Sequence, residues 1–360
     1  MMKKTFLLII VAVALSVSLT AQQYEFTTVT DNPSTTLKNQ ARTGTCWCFA
    51  TLSFLESELI RMGQPAMDLS EMFVVRNTYK TRFFDNYLRR GNGNLGPGSL
   101  SHTATNTIAR YGIMPDEAYP GIAYDSPGHN HSELQGYVDA LAEIPVKTKK
   151  FSPESGELLN ALLDVYLGEV PETFVYQGKE YTPVTFLDHL GLNMDDYVEI
   201  TSYTHHPFYE QVPLEIPDNW EHERYYNVPL DEFMSIADYA LENGYTLAWD
   251  GNISRDFSQE NGVAIVPGND PSVDEVAVTQ EIRQQWYETF QTTDDHLMHV
   301  TGIAHDQYGV KYYITKNSWG ETGKYKGFVH MSENYFRGKC IGYMIHKDAI
   351  PKEFRKKLGL

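Results

Sequence analysis

The 360-residue chain is poor in cysteine, poor in basic residues relative to acidic ones, and free of long apolar runs beyond its start. It contains 3 Cys, and its 29 Lys and Arg against 47 Asp and Glu give a formal net charge of -18. Because Cys46 and Cys48 lie two residues apart and only Cys340 remains, the cysteines do not form the disulfide framework of a small secreted protein. The acidic balance argues against a nucleic-acid partner.

Repeats, low-complexity tracts and a Cys/His set with zinc spacing are also missing from the sequence. Two histidine clusters, His129–His131 and His205-His206, are completed by no carboxylate or thiol pattern, so we expect solvated loops and no metal site. Neither a metal nor an organic cofactor is expected. Hydrophobic residues make up 42% and aromatic residues 13% of the chain, which predicts a sizeable core and argues against disorder.

The first 21 residues have the pattern of a secretory signal. Two lysines precede an apolar run from Phe6 to Leu19, and two small residues follow it. A retained membrane anchor is the alternative, but the run is shorter than the roughly 20 residues that a spanning helix needs. We therefore expect residues 1–21 to be a signal peptide, the mature chain to begin at Gln22, and export to a periplasmic or extracellular space without later membrane contact.

The chemistry-bearing residues lie in two distant segments. Gln40 stands six residues before Cys46, whereas His296 and Asn317-Ser318-Trp319-Gly320 lie near the end of the chain. A thiol nucleophile, an imidazole base and an amide that orients the base are the groups that a cysteine peptidase needs. The backbone N–H of Cys46 and the side-chain amide of Gln40 can supply the oxyanion hole. We expect peptides as substrates.

A helix predicted from Cys46 to Met62 places the nucleophile at a helix N-terminus. Long side chains and apolar residues at helical spacing predict that this helix is amphipathic. A helix N-terminus and a neighbouring imidazolium can lower the pKa of a thiol from about 8.5 to about 3–4. The sequence therefore predicts an ionised Cys46, with Trp319 shielding the hydrogen bond between His296 and Asn317 from water.

The predicted elements favour an α+β fold with one peptidase domain, residues 22–360. Helices predicted at Ser70–Leu88 and Leu100–Tyr111 make residues 22–125 a mainly helical lobe with the nucleophile. Residues 126–291 read as a mixed insertion and helical region. Short apolar runs separated by turns predict an antiparallel sheet in residues 292–360, which carry the His and the Asn. The active-site cleft is expected between the helical lobe and this β lobe.

Gln40, Cys46-Trp47 and Asn317-Ser318-Trp319-Gly320 resemble the catalytic motifs of the papain superfamily of cysteine peptidases, in the same order. Matches to its bleomycin hydrolase and aminopeptidase C branch are spread over most of the chain: Leu69-Ser70-Glu71, Tyr111-Gly112, Tyr119-Pro120, Pro171-Glu172-Thr173-Phe174 and Tyr226-Asn227-Val228-Pro229. The resemblance implies a papain-like fold and a cysteine peptidase, and it favours an aminopeptidase.

Three histidines, His296, His299 and His305, precede Asn317 closely enough to be the base. The family pattern has a glycine six residues after the catalytic histidine, and Gly302 gives this spacing to His296. We therefore assign His296 as the base. His299 is predicted to point away from the site because an odd offset reverses the face of a strand, and His305 is predicted to lie in a turn.

Two departures from the family bear on substrate binding. The family usually has two consecutive glycines for contact with the substrate backbone, and this chain has Gly98-Ser99; we expect both to contact substrate, together with Trp47 and Trp319. Bleomycin hydrolases also carry a C-terminal arm that blocks the cleft, often within a hexameric shell, whereas this chain stops at Leu360 soon after its last predicted strand.

Several functions stay open on the sequence alone. An aminopeptidase requires that something closes the cleft, and an endopeptidase requires an open one. A transglutaminase-like acyl transfer would favour Asp in place of Asn317, and a catalytically inactive peptide-binding module is the non-enzymatic alternative. A homo-oligomer, hexameric in the resembled family, is also possible.

Overall fold

The computed structural model describes residues 24–253, 256–268 and 275–360; the predicted signal peptide, residues 1–21, lies outside them. The helices of the described residues, apart from three single 3-10 turns, are α1 Cys46–Arg61, α2 Glu71–Leu88, α3 Ser101–Tyr111, α4 Ser132–Thr148, α5 Pro153–Leu167, α6 Pro183–Leu190, α7 Leu230–Glu242, α8 Gln280–Glu288, α9 Glu333–Lys339 and α10 Lys352–Leu358. In these ranges, no helix has the length and apolar character that crossing a membrane requires.

Apart from β1, the strands of the described residues follow α5 and alternate with the later helices. They are β1 Thr27–Asp31, β2 Phe174–Tyr176, β3 Lys179–Tyr181, β4 Tyr197–Thr201, β5 Gln211–Pro213, β6 Arg224–Asn227, β7 Leu247–Gly251, β8 Phe257–Ser258, β9 Val263–Ala264, β10 His296–His305, β11 Lys311–Lys316, β12 Phe328–Ser332 and β13 Cys340–His346. The predicted α+β class is confirmed.

One large sheet organises the β lobe. Its strand order is β5-β6-β4-β13-β7-β10-β11-β12-β9-β8, with β1 paired to β10. Neighbours are antiparallel except the parallel pairs β4–β6 and β9–β12. The antiparallel sheet predicted for residues 292–360 is confirmed, because β11 pairs antiparallel with β10 and β12, and β13 pairs antiparallel with β4 and β7. In the pairing of β7 with β10, Asp250 lies opposite Leu297, the residue after His296. Paired residues of antiparallel strands share one face of the sheet, so these two side chains are neighbours.

The sheet takes strands from a longer stretch of chain than residues 292–360. β1 comes from the start of the described residues, and β4 to β9 come from the region predicted as a mixed insertion. The division into residues 22–125, 126–291 and 292–360 stays a prediction about domains, but the β lobe draws on all three segments.

Helix α1 runs between the two lobes and contacts both α3 and β10. Its residues from Cys46 to Leu59 are all buried, including Glu56 and Glu58. The prediction of an amphipathic helix was therefore wrong, because a helix that is covered on every side has no solvent-exposed face. This burial holds the nucleophile-bearing turn rigidly between the lobes.

Lys38 joins the segment before Gln40 to the helical lobe. Its Nζ lies 3.0 Å from Glu56 Oε1 and 2.6 Å from Glu71 Oε1, and it also pairs with Asp68. Glu56 and Glu71 are both buried. One ammonium group therefore compensates two buried carboxylates and holds the strand-like segment that delivers Gln40.

Replacing Lys38 with methionine should lower the free energy of unfolding by about 3–5 kcal/mol, because the two buried carboxylates lose their cation. Urea unfolding measures the change. Lys147→Met is the matched control, since Lys147 pairs with Glu143 on the exposed face of α4 and surface pairs contribute little. If the free energy of unfolding changed by the same small amount in both variants, this role for Lys38 would be contradicted.

Candidate active site

A cavity of ≈ 320 Å³ lies between the helical and β lobes. Six of the sequence-predicted site residues line it: Gln40, Cys46, Gly98, Ser99, His296 and Trp319. Asn317 and Trp47, the remaining two, lie behind its wall. The fold thus brings together residues that are separated by most of the chain.

Cys46 is the first residue of α1, so its backbone N–H has no partner within the helix. The thiol is buried, with 9% of the residue exposed. The backbone N–H groups of Leu297 and Trp47 both donate to it. Since Leu297 directly follows His296, the thiol lies against the strand that carries the predicted base.

His296 and Asn317 form the predicted hydrogen bond, with 2.8 Å between His296 Nε2 and Asn317 Oδ1. Asn317 Oδ1 also accepts from the backbone N–H of Ser318 at 2.7 Å, and its Nδ2 donates to Gln259 Oε1 at 2.8 Å. These bonds fix the amide with its oxygen toward the imidazole. His296 Nε2 therefore carries a proton, and Nδ1 is the nitrogen left to act as a base.

The indole of Trp319 covers this hydrogen bond, as the sequence predicted. Its ring centroid lies 5.0 Å from that of His296, with 34° between the ring planes. An apolar ring in this position limits access of water to the imidazole and the amide. The hydrogen bond is therefore stronger than an exposed one would be.

Gln40 is tied to the same segment as Asn317. Its Oε1 accepts from Ser318 Oγ at 2.6 Å, and its backbone N–H donates to the Ser318 carbonyl at 2.9 Å. Its Nε2 donates to the Thr43 carbonyl at 2.8 Å. An amide nitrogen has two hydrogens, so one N–H remains for a ligand in the cavity, beside the N–H of Cys46.

Burial opposes the predicted ionisation of Cys46. It raises the pKa of the Cys46 thiol to about 12 and lowers the pKa of the His296 imidazole to about 4. The helix N-terminus and the two backbone donors act in the other direction. The thiolate thus depends on transfer of the proton to His296 within the site and not on an acidic thiol alone.

Carboxylates gather at one end of the cavity. Asp218 and Asp294 line it, and burial raises the pKa of both, that of Asp294 to about 7 with a further contribution from Asp218. Burial, with the charge of Asp294, also raises the pKa of Asp250 well above its usual range. Asp250 is 4% exposed, and both of its carboxylate oxygens lack a hydrogen-bond partner among the described residues.

The protonation of Asp250 predicts a pH-dependent effect of Asp250→Asn on stability. Because the pKa of Asp250 is higher in the folded than in the unfolded protein, the folded state keeps a proton that the unfolded state releases. Above the unfolded pKa, stability therefore falls as pH rises, by up to about 1.4 kcal/mol per pH unit until the folded pKa is reached. The variant lacks this loss, so its thermal midpoint should exceed that of the wild type more at pH 8 than at pH 5. If the difference in thermal midpoint between Asp250→Asn and the wild type were the same at both pH values, this prediction would be contradicted.

Trp47 occupies a different place from the one predicted. It is 1% exposed, and its Nε1 donates to the Pro97 carbonyl at 3.0 Å. Trp47 thus supports the loop that presents Gly98-Ser99 and does not itself line the cavity. A Cβ at Gly98 would meet the Asp218 carboxylate, so a larger residue there would force the Asp218 side chain to move.

The other histidines lie outside the site. His299 is fully buried, and its Nδ1 lies 2.9 Å from Ser53 Oγ. His305 is exposed and is the last residue of β10, so its predicted place in a turn was wrong. Neither histidine lines the cavity around Cys46.

The sequence indicated no carboxylate partner for His205 and His206, but the structure provides one. Glu215 lies 3.2 Å from Nε2 of His205 and 2.9 Å from Nε2 of His206. Gln284 Nε2 donates to His205 Nδ1 at 2.9 Å, so Nε2 of this histidine carries the proton that Glu215 accepts. A metal at Nε2 would have to displace that proton. In this structure the three side chains form a hydrogen-bonded cluster, with one ligand atom of each within 4.8 Å of the others.

The C-terminus does not enter the cavity. Helix α10 packs on the β lobe, where Leu358 is buried in the core and Lys357 pairs with Glu232 at 2.5 Å. Arg355 pairs with Asp348 at 2.9 Å. Segment 214–223 lies over the Gly98-Ser99 loop instead: Trp220 Nε1 donates to Ser99 Oγ at 3.0 Å.

Besides Asp250 and Asp294, three side chains of this site were not predicted from the sequence. Gln259 supports Asn317, Ser318 bonds Gln40, and Asp218 closes the cavity beside Gly98. Ser318 stood within a recognised motif and could have been assigned from it. Gln259 and Asp218 lie in turn-rich segments with no local signal, and only the tertiary fold brings them to the site.

Comparisons with known proteins agree with this arrangement. The model of the Peptidase C1-like family matches residues 97–359. Aminopeptidase G of Lactobacillus delbrueckii subsp. lactis is 23% identical, covering 92% of this chain and 85% of that protein. Aminopeptidase C of Lactobacillus helveticus is 22% identical, with 88% and 81% covered. The crystal structure of PepW from Lactobacillus rhamnosis HN001 superposes with a TM-score of 0.74 at 19% identity, covering 92% of this chain and 84% of that one. The chain belongs to the Peptidase C1-like family and is a cysteine peptidase with the papain-like fold.

Proposed function

We propose that this chain is a cysteine aminopeptidase, which removes residues from the N-terminus of peptides. The observation that carries the proposal is that one cavity is lined by Cys46, at the start of α1, and by His296, which is hydrogen-bonded to Asn317. Relatives named aminopeptidases that align along most of the chain support the same activity.

The geometry supports acyl transfer through the thiol. His296 Nδ1 takes the proton of Cys46, and the sulfur attacks the peptide carbonyl carbon to give a tetrahedral intermediate. The N–H of Cys46 and the remaining N–H of Gln40 Nε2 hold its oxyanion. His296 then gives its proton to the leaving amine, and a water attacks the thioester with His296 again as the base. Asn317 keeps one ring orientation throughout these steps.

Closure of the cleft supports an exopeptidase over an endopeptidase. Segment 214–223 packs on the loop that presents Gly98-Ser99, through the Trp220 bond to Ser99 and a bond of 2.9 Å from Asn94 Nδ2 to the Pro217 carbonyl. This loop is where the substrate backbone is expected to bind. A peptide that extends past it in both directions would meet the segment, so a chain terminus fits better.

The proposal also includes the cellular location of the protein and its oligomeric state. Export is supported by the signal pattern of residues 1–21, and peptides in a periplasmic or extracellular space are the corresponding substrates. A homo-oligomer stays a prediction from the family resemblance.

One peptide in free and N-acetylated forms tests the activity. We expect sequential loss of residues from the free form only, read by mass spectrometry under reducing conditions, and no cleavage by Cys46→Ala. Internal cuts in both forms would replace the aminopeptidase by an endopeptidase. If neither form is cut, or if Cys46→Ala cuts equally well, the peptidase proposal fails and a peptide-binding module takes its place.

A further inference from the structure

We propose that Asp218, Asp250 and Asp294 form a subsite that binds the α-ammonium group of the first residue of a peptide. This inference rests on the proposed aminopeptidase function and deepens it, because it assigns N-terminal recognition to the acidic end of the cavity. The C-terminal residues, which pack on the far side of α7, are not needed for it.

Asp250 gives the strongest evidence that this end of the cavity receives a cation. It is 4% exposed, and neither carboxylate oxygen has a hydrogen-bond partner among the described residues. The charges acting most strongly on it are other carboxylates, led by Asp294. A buried carboxylate in such surroundings is costly unless a proton or a cation compensates it.

The position of Asp250 directs it toward the cleft. It is paired with Leu297 across β7 and β10, on the same face of the sheet. Leu297 lines the cavity and its backbone N–H donates to the Cys46 thiol. In its ionised form, Asp250 is also the carboxylate that acts most strongly on Cys46. The carboxylate therefore lies beside the residue whose N–H contacts the nucleophile, on the face of the sheet that borders the cavity.

Asp218 and Asp294 reach the same place from opposite sides. Asp218 comes from segment 214–223, and Asp294 precedes β10 by two residues; both line the cavity that contains Cys46. The backbone N–H of Asp218 donates to the Asp294 carboxylate, which joins the two sides. One oxygen of Asp294, Oδ2, has no hydrogen-bond partner in the described part of the chain.

An α-ammonium group matches this arrangement in charge and in hydrogen bonds. An –NH₃⁺ group has three N–H donors; Asp218 and Asp294 line the cavity, and Asp250 is the cross-strand neighbour of Leu297, which also lines it. An N-acylated residue offers one N–H and no charge, so it leaves the carboxylates uncompensated. The cavity of ≈ 320 Å³ is at the small end of the about 300–1,000 Å³ of ligand pockets, which suits a terminal residue more than a chain passing through.

Binding to the Cys46→Ala protein tests the subsite without turnover. Calorimetry with Ala-Phe and N-acetyl-Ala-Phe should show that the free peptide binds at least about tenfold more tightly, as expected for hydrogen bonds to charged groups. Asp250→Asn and Asp294→Asn, each in the Cys46→Ala protein, should reduce this preference to less than about threefold. Asp188→Asn, an exposed site on α6, should keep the preference.

Three results would overturn the inference. The first is equal binding of the free and the acetylated peptide. The second is that Asp250→Asn and Asp294→Asn keep the full preference for the free peptide. The third is that N-acetyl-Lys-Ala binds as tightly as the free peptide and that this binding depends on Asp250, which would make the subsite one for a basic side chain. Asp294 is partly exposed, so its variant tests the subsite even if Asp250→Asn does not fold. Because Cys46→Ala has no nucleophile, a failed preference is distinguishable from failure of the peptidase function.

Discussion

Replacement of His296 with alanine is expected to lower kcat by about 10³-fold, within the range typical for loss of a general acid–base group. The reason is that His296 Nδ1 is the only ring nitrogen in the cavity around Cys46, among the described residues, that is free to accept the thiol proton. Hydrolysis of a free aminoacyl fluorogenic amide measures kcat, and circular dichroism checks that the variant is folded.

The matched control is His305→Ala, at the exposed far end of the same strand. It should leave kcat within about twofold of the wild type, as surface substitutions normally do. His299→Ala removes a buried side chain and should lower the thermal midpoint without removing the base. If His299→Ala lost activity while folded and His296→Ala kept it, the assignment of the base would be wrong.

Replacement of Gln40 with alanine is expected to lower kcat by about 10²- to 10³-fold, because one donor to the oxyanion is lost. KM should change less, since this donor matters most when charge develops on the substrate oxygen. Gln285→Ala, on an exposed position of α8, is the control and should leave both parameters unchanged.

Two further variants separate the donor role of Gln40 from its structural role. Gln40→Glu keeps an oxygen that accepts from Ser318 but removes both N–H donors, so it should lose as much activity as Gln40→Ala. Ser318→Ala removes only the hydrogen bond to Gln40 Oε1 and should lose much less. Near-normal kcat in Gln40→Glu would contradict the oxyanion-hole assignment.

Local sequence signals predicted most elements that carry the catalytic groups. The helix predicted at Ser70–Leu88 corresponds to α2, Glu71–Leu88, in which the Ser70 side chain caps the N-terminus by accepting from the backbone N–H of Phe73. The predicted helix at Cys46 begins where α1 begins. These signals act within a few residues, so they can be read from the sequence without the tertiary fold.

Long-range packing determined what the sequence did not predict. The burial of Glu56 and Glu58 in α1 depends on the lobes that enclose the helix, with Lys38 paired to Glu56 and Arg61 paired to Glu58. The acidic end of the cavity depends on β7, which lies between β13 and β10 in the sheet although it precedes both in the chain. No local pattern placed Asp250 beside Leu297, because that pairing joins strands from distant segments.

The electrostatics of Cys46 also required the structure. The sequence indicated a helix N-terminus and a nearby imidazole, which favour a thiolate. The sequence did not show that the thiol is buried, nor that carboxylates lie nearby, the strongest effect coming from Asp250. Burial and the carboxylates both raise the pKa of the Cys46 thiol. A cationic substrate group bound to these carboxylates would reduce their effect on the thiol, which links substrate binding to activation of the nucleophile.

The most direct test of the account is covalent labelling with an alanine chloromethyl ketone in free-amino and N-acetyl forms. Peptide mass spectrometry identifies the modified residue, and the rate of labelling is compared between the two forms and in His296→Ala. The account predicts that the free-amino reagent modifies Cys46 alone, at least about tenfold faster than the acetylated one, and that His296→Ala slows it. Labelling of Cys48 or Cys340 in preference to Cys46, or no labelling of the native protein, would contradict it.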